Sequence, residues 1–447
     1  MAASKDNEGN TLIGRVKRYS GVTAGAAGVA MRGAGRWLGG KGVMGIDNAR
    51  DAMRMLGGLR GPLMKGAQIA GGLPGILPPE FAAELATLQS DAPEMGAAFV
   101  RRRMAAELGR DWQTKFKSFD LKAAHAASLG QVHRAIAHDG RALACKLQYP
   151  DMRSAVEADL TQLKTVLALQ RMAERKFDTT EIAEEAAERI REELDYTREA
   201  MHMRLFAAML KGDERIAVPE PVAELSTGRL LTMTWLEGAP FREVLKRPQA
   251  ERDAVARALF HAWFFPLFHY GVVHGDAHLG NYTVRQGGAI NLLDFGCVRV
   301  FPARVVGALV RLYSAQLRGN GAAAAKAYAD WGFADATPAL VEKMRPWTAM
   351  VFEPFLEDRE RTIGEGAPPF MADMGQVWTM KMRLREGAPI RPPRAFVFVA
   401  RAILGVGAAL VHLDAKLNWH RMLEDLTADF DADALATRQA EVLRRVA

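Results

Sequence analysis

The 447-residue sequence holds two cysteines, Cys145 and Cys297. Two are too few for a disulfide framework or a thiolate metal site, and the ten histidines form no HExxH pattern. A reducing compartment is the natural setting. No apolar run long enough to cross a bilayer is free of charge. The best candidate, Ala395–Leu413, carries Arg401 near its middle and spaces its bulky residues as a helix does, so a buried helix of a helical lobe is expected rather than a membrane span. The start of the chain lacks a charged segment followed by a clean apolar one, so no secretory leader is expected. Acids are missing from residues 9–46, which carry Arg15, Lys17, Arg18, Arg32, Arg36 and Lys41 among Gly and Ala. That stretch reads as a basic anchor for an anionic membrane surface. It reads equally as a poorly ordered tail, since glycine weakens helix, and its lack of acids is also that of an organellar transit peptide.

What is present is ordinary globular composition, 49% hydrophobic and 25% charged, with a net charge of +7. The chain is long enough for two or three domains. Its mild basicity suits an anionic partner (nucleotide, acidic membrane or nucleic acid) and selects none of them. Residues 50–110 read as helices broken at "GLPGILPPE", where two prolines precede a helix start. Near residue 112 the texture changes. "VHRAIA" and "ALACKLQ" flank His138-Asp139-Gly140-Arg141 as a β-hairpin. Two long helices are expected next, the second running through "TTEIAEEAAERIREELDYTREAMHMRLFAAML". "RIAVPEPVAEL" and "RLLTMTWLEG" read as strands. After Gly238 the pattern is helical, interrupted by "GVVHGDAHLGNYTVRQGGAINLLDFGCVRV". The order is a helical extension, a small β-rich lobe and a helical lobe.

The interruption carries the chemistry. Asp276 and Asn281 stand five apart after His274, and Asp294-Phe295-Gly296 follows the strand-like "AINLL". Phosphoryl transfer needs one carboxylate to orient or deprotonate the acceptor. It also needs a second carboxylate and an amide oxygen for Mg²⁺, a hard cation that prefers oxygen. Asp276, Asp294 and Asn281 supply that set. The spacing resembles the kinase catalytic and metal loops; either motif alone is weak, and both in this order are strong. Upstream, Lys146 in "ALACKLQ" is the candidate for gripping nucleotide phosphates. Its carboxylate partner is expected from "EELDYTREA": Glu193, Asp195 or Glu199, with Asp195 and Glu199 four apart on one helix face. A glycine-rich phosphate cradle is absent. "HAASLGQVH" stands in its place with Gly130 as its single glycine, so nucleotide binding is expected to differ from that of a protein kinase.

Together these segments resemble the UbiB/AarF-domain atypical kinases associated with ubiquinone biosynthesis. "AASLGQVHRA" resembles the family's Ala-rich loop, "ACKLQYP" its lysine strand, "ELDYTREA" its Glu-x-Asp helix, "HGDAHLGN" its catalytic loop and "LLDFG" its metal loop. "LMKGAQIAGGLPGILPPEF" resembles the KxGQ extension, with the glycine moved one place in Lys65-Gly66-Ala67-Gln68. The family's Glu after the hinge-like methionine is here Thr234. The resemblance covers about residues 50–415.

It implies an α+β, bilobal protein-kinase-like fold with a helical N-terminal extension over the active site. The expected segments are a basic stretch at 1–46, the extension at 47–112, an N-lobe at 113–237 and a C-lobe at 238–447. It implies ATP or ADP with Mg²⁺, held by Asn281 and Asp294. Nucleotide contacts are expected from Ala126, Ala127, Ser128, Leu129, Gly130, Gln131, Val132, Lys146, Met233 and Trp235. Asp276, Lys146 and Glu199 are the expected catalytic set, joined by Lys65, Gln68, Glu193 and Asp195 in an occluded site. The implied activity is ATP hydrolysis or phosphorylation of a small or lipid molecule. Implied partners are anionic membrane, lipid or quinone precursors and ubiquinone-biosynthesis proteins, without nucleic acid. The implied location is cytoplasmic, peripheral at the inner membrane, or mitochondrial in a eukaryote. Two competing readings are a soluble phosphotransferase of the aminoglycoside or choline kinase type and a non-catalytic nucleotide-binding regulator.

Overall fold

The computed structural model describes residues 96–446 apart from 128, 150–151, 153–155, 158–190, 193, 334–335 and 366–391. Lys65, Gln68, Ser128, Glu193 and the basic segment 1–46 lie outside the described residues. So do most of the helices expected at 50–110 and 152–190.

Helix α1 (Ala97–Leu108) buries Val100, Arg103 and Met104, one stripe at helical spacing. It shares a core with Trp112, Phe116 and one face of a five-stranded sheet. That sheet contains β1 (Ser118–Phe119), β2 (His125–Ala127), β3 (Gly130–Ile136) and β4 (Ala142–Gln148). The hairpin read around Asp139-Gly140 is the β3–β4 pair, with Val132 opposite Lys146 and Arg134 opposite Ala144. Leu143, Cys145 and Leu147 face α1, so Ala144 and Lys146 face the other way, by the two-residue period of a strand. The described end of the extension thus packs on the back of the sheet, away from Lys146, and not over the cleft. Glu107 fastens it there, bonded by Thr227 Oγ1 at 2.7 Å and by Arg229 at 3.0 Å.

Helix α2 (Tyr196–Met209) corrects the long helix expected through residue 210. It begins only after Asp195, whose carboxylate accepts the N–H groups of Thr197 and Arg198. A short acidic side chain that satisfies two orphan amides starts a helix where one stands. Asp195 therefore caps α2 and does not share a face with Glu199. The chain continues through β5 (Ile216–Ala217), β6 (Leu230–Thr234), β7 (Ala239–Pro240), α3 (Phe241–Val244) and α4 (Gln249–Tyr270). β6 completes the first sheet beside β4. α4 is the buried axis of the second lobe and ends on Gly271, whose φ of +65° closes it in the left-handed conformation.

The interrupting segment folds as β8 (Val272–His274), β9 (Tyr282–Val284), β10 (Ile290–Leu292) and β11 (Val298–Val300). β9 pairs with β10 and β8 with β11. The two nested pairs bring the loop after β8 against the loop after β10, and so put residues 275–281 beside 293–297. Helices α5 (Ala303–Leu317), α6 (Gly321–Trp331) and α7 (Pro338–Phe352) follow, then β12 (Arg361–Thr362), α8 (Arg394–Leu413), β13 (Lys416–Leu417), α9 (Trp419–Thr427) and α10 (Ala432–Val446). By length and composition α8 is apolar enough to cross a membrane, and half of its most apolar window is buried here. Its Phe396, Phe398, Val399, Ala402, Val406 and Leu410 belong to the core of the second lobe.

Candidate active site

Lys146 is a buried ammonium between two carboxylates. Its Nζ donates to both oxygens of Glu199, at 2.7 and 3.0 Å, and to Asp294 Oδ2 at 3.0 Å, and it stands 5.3 Å from the centre of the Tyr196 ring. Glu199, on the first turns of α2, is the partner among the three sequence candidates. Burial pushes the Lys146 pKa down, but the charges of Asp294 and Glu199 outweigh it and leave the pKa well above the ordinary lysine value. Glu199 is raised, first by burial, with Asp294 adding and Lys146 opposing. Among the described residues, one ammonium is shared by the two carboxylates.

His274 locks the two loops together. Its Nδ1 accepts from the Asp276 N–H at 3.2 Å, so Nε2 carries the proton and donates to the Asp294 carbonyl at 2.6 Å. Phe206, Trp263 and Phe295 pack around the ring. Asn281 Nδ2 donates to the Asp276 carbonyl at 3.2 Å, which leaves the amide oxygen as the end able to face a cation. His278 holds the loop from within: its N–H donates to Asp276 Oδ1 and its Nδ1 accepts from Gly280. Asp294 Oδ1 accepts from the Gly296 N–H at 3.0 Å.

The Ala-rich segment is a tight hairpin, with Ala126 opposite Gln131 and Ala127 opposite Gly130. Leu129 is buried, and its carbonyl accepts from the Tyr149 N–H at 3.1 Å. Gly130 is there for close approach: a Cβ on it would lie 2.2 Å from the Leu147 carbonyl oxygen. Val132 shares the Lys146 face. Gln131 does not: its amide donates to His133 Nε2 on the back of the sheet, and His133 Nδ1 donates to the Asp120 carbonyl. Met233 lies on β6 opposite Ala144. The backbone N–H of Trp235 is already given to the Ala142 carbonyl, while its ring stacks on His125 and lies under Arg134. An open groove of about 610 Å³ beside Trp235 is lined by Phe119–His125 and Arg134, and by none of Lys146, Asp276, Asn281 or Asp294.

Three contributors escaped the sequence reading. Gln148, two residues beyond Lys146 on the same strand face, donates to the Leu194 carbonyl at 2.8 Å and so holds the approach to α2. Glu192 takes Arg299 at 2.7 Å and Arg198 at 2.8 Å, tying β11 to α2. His202 Nδ1 donates to the Phe295 carbonyl at 3.0 Å. The spacing of Gln148 from Lys146 was the one available signal.

His202 carries a pH prediction. Burial holds its pKa down at about 4, against 6.5 for an ordinary histidine, so the fold favours the neutral ring. Its contribution is complete above pH 6.5 and is lost as pH falls towards 4, a difference of roughly 3 kcal/mol. His202→Asn keeps a donor for Phe295 and removes the titration. Urea unfolding at pH 7 and pH 4.5 is expected to show a steeper acid loss for the native chain than for the variant; equal losses would remove His202 from the account.

A family model, the ABC1 atypical kinase-like domain, matches residues 87–328, more than half of the chain. The chain belongs to this family. AarF domain-containing protein kinase 1 of Xenopus tropicalis is 34% identical over 248 residues, 54% of this chain and 47% of that protein. The mitochondrial atypical kinase COQ8 of Saccharomyces cerevisiae is 30% identical over 227 residues, 51% of this chain and 45% of that protein. The chain thus spans about half the length of these curated relatives. Among solved structures, that of an Rv3197–erythromycin complex from Mycobacterium tuberculosis matches with a TM-score of 0.59 and 27% identity, over 85% of this chain and 95% of that one. The α+β kinase-like fold expected from the motifs agrees with this likeness.

Proposed function

We propose that this protein is an ATP-dependent atypical kinase or ATPase of the UbiB type that supports ubiquinone biosynthesis. The observation that carries the proposal is Lys146 held between Glu199 and Asp294, with Asp276 and Asn281 on a loop pinned to Asp294 through His274.

The residues fit magnesium bound together with a nucleotide. No three His, Cys, Asp or Glu side chains converge as a metal cage among the described residues, and Mg²⁺ typically takes one or two carboxylates and completes its shell with phosphate and water. Asp294 and Asn281 would supply the protein oxygens. The ion would neutralise phosphate charge. In this reading Lys146 grips the phosphates, Glu199 keeps its ammonium charged and aimed, and Asp276 orients the attacking hydroxyl or water. Gly130 and its neighbours bring backbone close to the phosphates, and Met233 and Trp235 border the base.

The ubiquinone role rests on the family resemblance, and the acid-free residues 9–46 support work at an anionic membrane. The test is Mg²⁺-ATP hydrolysis by the full chain, with and without anionic liposomes. Turnover that rises with liposomes is expected. Nucleotide bound without turnover would favour a regulator. A rate that rises with a soluble hydroxylated acceptor (a macrolide is one choice, given the erythromycin in the neighbouring structure) and not with liposomes would favour the small-molecule phosphotransferase.

A further inference from the structure

We infer that Arg401 is a positioning residue for the catalytic loop, and that α8 is the seat on which Asp276 is aimed. Arg401 is the charge inside the apolar run Ala395–Leu413. A guanidinium there is costly unless its donors are used. It does not simply reach for water: Nη2 donates to the Gly275 carbonyl at 2.6 Å and lies 3.6 Å from Cys297 Sγ.

The bonded carbonyl belongs to the peptide unit that joins Gly275 to Asp276. The N–H of that same unit donates to His274 Nδ1 at 3.2 Å. Both polar ends of one peptide plane are therefore held, the oxygen by α8 and the nitrogen by His274. The preceding unit is held as well, by the Gly275 N–H to the Cys297 carbonyl at 2.6 Å. The following unit is held by Asn281 Nδ2, which donates to the Asp276 carbonyl at 3.2 Å. With the planes on both sides of Asp276 fixed, the direction in which its side chain leaves the backbone is fixed too.

Packing repeats the pattern. A Cβ on Gly275 would lie 2.5 Å from Phe398 Cζ, and one on Gly405 would lie 3.0 Å from Ala277 Cβ. Phe398, Arg401 and Gly405 fall three and four apart, one stripe of α8. That stripe underlies residues 275–277, with Asp276 at the middle. Arg401 touches no reacting group; it acts through the backbone.

The catalytic part of this inference rests on the ATP-turnover reading above, so the experiment has an arm that needs no turnover. In the full chain, Arg401→Met and Arg401→Lys are compared with the native protein by hydrogen exchange over residues 271–284 and by Mg²⁺-ATP kinetics. Arg401→Met is expected to speed exchange in that segment and spare the rest of the second lobe. Its kcat should fall on the order of 10–100-fold, the scale of a displaced catalytic group, with KM nearly unchanged. Arg401→Lys, which keeps a cationic donor, should recover part of both and carries the test alone if the Met variant does not fold. Unchanged exchange, a loss confined to KM, or loosening spread evenly through the lobe would overturn the inference. If the native chain turns over no ATP, the hydrolysis reading fails, and the exchange arm still decides whether Arg401 holds the loop.

Discussion

Asp294→Asn is expected to abolish the magnesium dependence of ATP binding while leaving the protein at least as stable. The first half follows from charge. Asp294 supplies the anionic oxygen of the candidate Mg²⁺ site, and an amide replaces it with a neutral one. Losing even an outer-shell partner of a metal site typically costs about 10–100-fold in affinity, and losing the charged ligand should exceed that. The second half follows from the shared ammonium. Lys146 serves both Glu199 and Asp294, and Glu199 is held above its ordinary pKa by burial and then by Asp294. Removing one of two like charges relieves that repulsion. Calorimetric titration with ATP, with and without Mg²⁺, reads the first half, and thermal melting reads the second. Asp276→Asn should behave differently: Mg²⁺-ATP binding is retained, and turnover falls by roughly 10²–10⁴-fold, as expected for loss of a positioned acid–base group. Similar failure of both variants in binding would merge two roles that the geometry keeps apart.

The second large effect is expected at Gly130. Its added Cβ would meet the Leu147 carbonyl oxygen at 2.2 Å, the Leu147 carbonyl carbon at 2.9 Å and the Gln148 Cα at 3.1 Å. All three are backbone atoms of β4, so no rotamer change relieves the contact. Overpacking that side chains can absorb typically costs about 1–3 kcal/mol; a clash between backbones should exceed about 3 kcal/mol. It also lies two residues from Val132, the position opposite Lys146, so pushing β3 from β4 shifts the lysine. Gly130→Ala should unfold at a markedly lower urea concentration and bind nucleotide weakly even under folding conditions. A variant that unfolds with the native chain would mean that β4 yields at no cost.

Much of the site was legible because its polar residues are polar for chemistry. Asp276, Asn281 and Asp294 stand in a fixed order around a hairpin, and the nested pairing of β8 with β11 and of β9 with β10 brings them together. Lys146 was ambiguous for a physical reason. β4 is buried on both faces, so the in-and-out alternation that would orient a lysine is missing. Asp195 was misread because an acid four residues before another looks the same inside a helix and at its cap. Gln131 was placed at the nucleotide by its neighbours in sequence, whereas strand alternation turns its side chain to the back.

Three of the residues that stayed hidden share one feature. Gln148, His202 and Arg401 all donate to backbone carbonyls. A carbonyl has the same identity at every residue, so no pattern of side chains announces its partner. Arg401 did leave a trace, as a charge in an apolar run, and that trace marked the residue without its destination.

The most direct measurement is a crystal structure of the full chain with Mn²⁺ and a non-hydrolysable ATP analogue, with the metal located by its anomalous scattering. The account predicts a peak about 2.1 Å from an Asp294 carboxylate oxygen and the Asn281 amide oxygen, with Lys146 moved from Asp294 towards phosphate and still bonded to Glu199. A peak away from these two residues, or a nucleotide seated in the groove beside Trp235 with the Lys146–Asp294 pair intact, would contradict it.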